Sequence, residues 1–148
     1  MHYADKDELL LSGLQNVTNL LHAAQAAATT PPRKSYERIV GFSLAMFGHV
    51  YEYRAVNRAL LGSAAETVVR RYIHSALATI VDQEVKTEFR KRKRGHCPVS
   101  PELLTHHLAS TFISVLTFWL NARNPVPPPE IDRTHRNLVL PCLASIFG

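Results

Sequence analysis

The chain carries eight histidines and two cysteines, Cys97 and Cys142, so metal ligation and nucleophilic catalysis are the first chemistries to weigh. A metal site needs donors at matched intervals, as in H-E-x-x-H or repeated C-x-x-C. Neither pattern occurs. His106 and His107 are adjacent, and a helix turns adjacent side chains about 100° apart, so these two would not grip one ion together. His96-Cys97 has no second pair to match it. There is no G-x-S-x-G elbow for a nucleophile, and the six glycines are scattered rather than gathered into a phosphate loop. The carboxylates fall mostly on solvent-type helix positions. The expectation is no catalytic residue, no metal and no cofactor. Another set of side chains is more informative. Phe42, Met46, His49 and Tyr53 recur at intervals of four, three and four, which puts them on one helix face. That face mixes aromatic, thioether and imidazole groups. It could line a cavity, or it could be further core with His49 and Tyr53 hydrogen-bonded at its edge.

These residues need helices to place them. The most informative stretch is Ser100 to Arg123. Ser100 is a natural N-cap, Pro101 fits the first turn, and Glu102 sits where the helix dipole favours a carboxylate. One apolar stripe runs Leu104, Leu108, Phe112, Val115 and Trp119. A second runs Leu103, Ile113, Leu116 and Leu120. One stripe satisfies a helix lying on its own domain, so two predict burial on two sides, against either a further helix layer or a second copy of the chain. Upstream, Leu10, Leu14, Val17, Leu21, Ala24 and Ala28 predict an amphipathic helix over 5–28, ended by Pro31-Pro32. A helix from Arg33 or Lys34 to about Tyr53 carries Tyr36, Ile39, Val40, Phe47 and Val50 as ordinary core. A short helix over 54–61 stops at Gly62. Ser63 with Glu66 forms a capping box for the longest helix, which ends in a basic run and Gly95. The stiff link Asn124 to Pro129 precedes a last helix from Glu130 to about Leu140, which Pro141 should kink or end. That helix sets Ile131, His135, Leu138 and Val139 on one side. No alternating strand pattern of useful length occurs. The fold expected is all-α, an antiparallel bundle of about six helices.

Composition limits the function classes. The chain has 148 residues and 46% hydrophobic content, which fits one globular domain rather than disorder. Lysine and arginine number 17 against 12 acids, for a net charge of +5. Arg90, Lys91, Arg92, Lys93 and Arg94 account for all of that excess, so the basicity is local. A run of this kind is a solvated helix end or loop, or a site of transient phosphate contact. The apolar segment around Phe112 to Leu120 is interrupted by Ser114 and Thr117, and no membrane span is expected. Two cysteines are too few for a disulfide framework and no secretory leader is evident, so a cytoplasmic location is expected.

The first residues, His2-Tyr3-Ala4-Asp5-Lys6-Asp7-Glu8-Leu9-Leu10, resemble the TetR family of transcriptional regulators. Those proteins end their helix-turn-helix with Tyr-x-His-Phe, a short turn, then Lys-x-x-Leu-Leu. His2 matches the His, Tyr3 the Phe, Lys6 the Lys, and Leu9-Leu10 the Leu pair. The Pro-Glu-Leu-Leu start, the Phe-Trp-Leu segment and the proline-rich link to a last helix look like the end of that family's ligand-binding and dimerisation domain. The segment for the first three helices of such a regulator would, on this likeness, be expected ahead of these residues. On this resemblance residues 1–4 are a remnant of the recognition helix and turn, and residues 5–148 are a linker helix followed by the ligand-binding and dimerisation domain. His2, Tyr3 and Lys6 would lie near operator phosphates in a complete protein, and without an intact helix-turn-helix no DNA reading is expected.

The resemblance implies a small hydrophobic or aromatic effector, held by Phe42, Met46, His49, Tyr53, Tyr72, Phe112 and Trp119. It also implies a homodimer through Leu108, Ile113, Leu116, Leu120, Leu138 and Cys142. Two other classes stay open: a free-standing helical interaction module that docks through the basic run, and a small helical enzyme using His49 or the His106-His107 pair.

Overall fold

A computed structural model describes residues 15–16, 18–26, 34–61, 66–92 and 99–148. The fold is all-α, with no strand among the described residues. Residues 18–26 form α1. A 3-10 helix, Ser35–Val40, follows, then α2 (Ser43–Glu52), α3 (Arg54–Leu61), α4 (Glu66–Arg90), α5 (Pro101–Leu120) and α6 (Pro128–Phe147).

The α5 helix starts as its sequence predicts: Ser100 Oγ accepts from the Leu103 amide at 3.1 Å, with Pro101 in the first turn. Its stripe Leu104, Leu108, Phe112, Val115 and Trp119 is wholly buried. The α5 helix makes its most extensive contact with α4. Thr105 bonds Asp82 and Ser110 meets His74, so the two helices run antiparallel. On the other side of α4, Thr18 donates to Tyr72 and Gln25 to Glu84, so α1 lies parallel to it. The contacts Tyr36–Phe147, Val40–Arg136 and Ser43–Asp132 set the 3-10 helix and the start of α2 antiparallel to α6. By length and composition α5 could cross a membrane, but its buried stripe is what a core helix also presents.

Three details depart from the sequence reading. The continuous helix expected from Arg33 or Lys34 to Tyr53 is broken into a 3-10 helix, a turn at Gly41–Phe42 and α2. The carbonyl of Arg38 accepts from Gln25 Nε2 at 2.8 Å and from the Gly41 amide at 3.0 Å, and that of Val40 from Arg136. Tertiary donors thus take carbonyls that a regular α-helix would spend on its own amides. Pro141 neither ends nor breaks α6, which continues to Phe147. Val139, Leu143 and Phe147 are four apart and all buried, and this shared face outweighs the one backbone hydrogen bond a proline removes. Finally, the second stripe of α5 is only half covered. Leu116 and Leu120 are buried in the chain's own core, Ile113 is partly buried, and Leu103 is 56% exposed.

Candidate functional site

The most unusual chemistry of the interior is at His135. The α6 helix carries it inward beside Ile131 and Val139, and only 1% of its surface is exposed. Its ring packs edge-on against Phe112 of α5 at 5.3 Å and Phe47 of α2 at 5.9 Å. Phe47 in turn touches Phe112 at 4.9 Å and Trp119 at 5.4 Å, and Phe42 meets Phe112 at 5.2 Å. Neither nitrogen of His135 has a hydrogen-bond partner. Burial in this apolar surrounding pulls its pKa from 6.5 down to about 4; Asp132 opposes the shift and Arg136 adds to it. The imidazole is therefore neutral at pH 7.

One turn away the polar groups are fully engaged. Ser43 Oγ donates to Asp132 Oδ1 at 2.5 Å, and Arg136 Nε reaches Asp132 Oδ2 at 2.9 Å. Ser43 and Asp132 are buried and Arg136 partly so, and this Ser–Asp–Arg group ties α2 to α6 at the turn that bears His135. The proline-rich link is held from the same core: Trp119 Nε1 donates to the Val126 carbonyl at 2.8 Å.

The residues expected to hold a ligand fall in three places. Phe42, Met46, Phe112 and Trp119 are buried together in the aromatic core, packed ring on ring. His49 and Tyr53 pack against each other, ring centroids 4.9 Å apart and tilted by 49°, with Tyr53 half exposed. Tyr72 is apart from them, half-buried on α4, where its hydroxyl accepts from Thr18. Phe47 and His135 stand outside the expected ligand set, although both lie at helical spacing on apolar faces.

Among the residues expected at a dimer interface, Leu108, Leu116 and Leu120 face the chain's own core. Leu138 is 59% exposed, and Ile113 and Cys142 are partly buried. The exposed apolar surface of α5 is instead at Leu103 and at Phe118, which is 80% exposed. Phe118 lies off both expected stripes. It borders an open groove of about 510 Å³ shared with Arg70, Ser114, Thr117, Asn121 and Ala122. None of the seven expected ligand residues lines that groove. His2, Tyr3 and Lys6 lie outside the described residues, as do Lys93 and Arg94 of the basic run.

Of the described residues of that run, Lys91 and Arg92 are engaged within the fold, while Arg90 is exposed. Arg92 donates to Glu88 Oε2 at 2.7 Å and to the Phe147 carbonyl at 2.8 Å, and its guanidinium lies 4.6 Å above the Phe147 ring. Lys91 reaches Glu88 Oε1 at 3.2 Å and Ser35 donates to Oε2. Burial pushes the Glu88 carboxyl up, but the hydrogen bonds from Arg92, Lys91 and Ser35 together outweigh it and hold the group below its ordinary pKa. Arg92 thus ties the end of α4 to the last turn of α6, satisfying a carbonyl that the helix end leaves open.

No protein-family model, curated protein or solved structure matches the chain.

Proposed function

We propose that the chain is the effector-sensing and self-associating part of a TetR-like transcriptional regulator. It takes a small hydrophobic or aromatic ligand and governs a DNA-binding head that the described residues do not include. The observation that carries this reading is His135, a polar ring amid aromatic side chains with neither nitrogen engaged. An unsatisfied buried polar group costs about 1–3 kcal/mol, and native cores seldom keep one without a use. A planar ligand bearing a hydroxyl or carboxylate would supply the missing partner once Phe42, Phe47 and Phe112 part to admit it. Apolar walls with few placed polar groups are typical of small-molecule sites.

Leu103 and Phe118 on α5 and Leu138 on α6 supply apolar surface for a second copy, in a two-fold contact that uses the same residues on both sides. The α1 helix, bonded along α4 through Thr18 and Gln25, is the element through which ligand occupancy would bias the head. The protein would act in the cytoplasm. Native mass spectrometry and thermal shift against a panel of phenols and aromatic acids test the reading. One ligand per chain, with a shift that His135→Phe abolishes, is expected. No ligand across the panel, together with a monomer by light scattering at micromolar concentration, overturns it.

A further inference from the structure

The α4–α5 seam brings together two histidines that lie 32 positions apart in the chain. The rings of His74 on α4 and His106 on α5 are 4.9 Å apart, centroid to centroid, and tilted by 51°. His74 Nε2 is 3.1 Å from Ser110 Oγ, one turn beyond His106 on the same helix. A metal-bound imidazole nitrogen lies about 2.0–2.1 Å from the ion, so two rings sharing one ion at angles between cis and tetrahedral have centroids roughly 4.5–5.2 Å apart. The observed separation falls in that range.

We infer that His74 and His106 form a two-imidazole site for a late first-row divalent ion of the Zn2+, Ni2+ and Cu2+ class, bridging α4 and α5. In the tautomer whose Nε2–H donates to Ser110, Nδ1 of His74 carries the lone pair that a metal needs, and the hydroxyl fixes that ring's orientation. His106 is exposed and His74 half-buried, which leaves the remaining coordination positions to water. No third histidine, cysteine or carboxylate joins the pair among the described residues, so the ion is held openly and exchanges. Imidazole donors favour this class of metal, and Cu2+ binds tightest of the three. Arg70, one turn from His74, does not present a bare charge, because Glu66 holds it at 2.8 Å. The inference stands apart from the effector reading, since neither residue belongs to the aromatic core.

The test is calorimetric titration of the metal-free full chain with CuCl2 and with ZnCl2, alongside electron paramagnetic resonance of the Cu2+ form. The variants are His106→Ala, His74→Gln and His107→Ala, each checked for helicity by circular dichroism. Two-nitrogen coupling in the Cu2+ spectrum is expected. His106→Ala should weaken binding by about tenfold or more, while His107→Ala, on the neighbouring exposed position, should leave it within about twofold. Zn2+ should raise the melting temperature of the parent chain and not that of His106→Ala. Should His74→Gln fail to fold, the exposed His106 still decides the matter. Equal affinity in the parent and His106→Ala, or an equal loss in His107→Ala, overturns the site.

Discussion

Replacing His135 with phenylalanine keeps the ring against Phe47 and Phe112 and removes the two unpartnered nitrogens. The folded chain holds this imidazole at a pKa of about 4, against 6.5 for the exposed group. A depressed histidine pKa means that the unfolded chain takes up a proton the fold refuses. Above pH 6.5 neither state is protonated and the group contributes no pH dependence. As pH falls from 6.5 towards 4 stability declines, and below 4 both states carry the proton and the decline levels off. The full loss is about 3 kcal/mol, of which about 2 kcal/mol is already gone at pH 5. Glu88, whose carboxyl is held below its ordinary value of 4.5, costs stability only under more acid conditions. The difference between parent and variant in their change from pH 7.5 to pH 5 therefore reports this imidazole, the seven other histidines being common to both. Urea unfolding followed by circular dichroism should show the parent chain weakening by about 2 kcal/mol more than His135→Phe over that interval. At pH 7.5 the variant should be more stable by about 1 kcal/mol, because a buried polar group without partners has gone. Parallel pH profiles in the two proteins would refute the account, since they would mean that the ring is solvated or paired in solution.

Other perturbations have equally definite outcomes. Arg92→Ala leaves Glu88 buried with fewer partners and the Phe147 carbonyl without its donor. It should cost about 2–3 kcal/mol in denaturant unfolding and speed hydrogen exchange in the last turn of α6. Ser100→Ala removes the acceptor for the Leu103 amide and should cost about 1 kcal/mol, as measured by thermal or urea unfolding. Phe118→Ser touches an exposed ring, so unfolding stability should stay within about 0.5 kcal/mol. The same substitution should reduce self-association in analytical ultracentrifugation, and an unchanged sedimentation profile would remove Phe118 from any self-contact.

Local signals in the sequence were legible where local physics decides. Ser100-Pro101-Glu102 marks a helix start because cap, imino acid and carboxylate each answer a different feature of a helix N-terminus, and α5 begins there. The spacing of Leu104, Leu108, Phe112, Val115 and Trp119 forecast the buried face because period alone decides which side chains share a stripe. What escaped was decided by distant partners. Pro141 reads as a kink or a stop, with Leu143, Ile146 and Phe147 able to continue the same face beyond a kink, and the burial of Leu143 and Phe147 carries the helix past it. The carbonyls of Arg38 and Val40 are claimed by Gln25 and Arg136, which no local pattern announces. His135 could be placed on the apolar side of α6, but whether its nitrogens found partners depends on side chains from α2 and α5. The meeting of His74 with His106 likewise needed the register of two helices.

Trp119 gives the molecule a built-in spectroscopic reporter. It is the sole indole in the sequence, almost fully enclosed, lying parallel to Tyr51 at 5.8 Å and bonded to the Val126 carbonyl. Its emission should be blue-shifted in the native chain, and with excitation selective for indole over the five tyrosines the signal would come from the junction where α5 passes into the proline-rich link. Loosening of that one corner would register as a red shift while ellipticity stayed constant, so partial opening could be distinguished from global melting with no label attached.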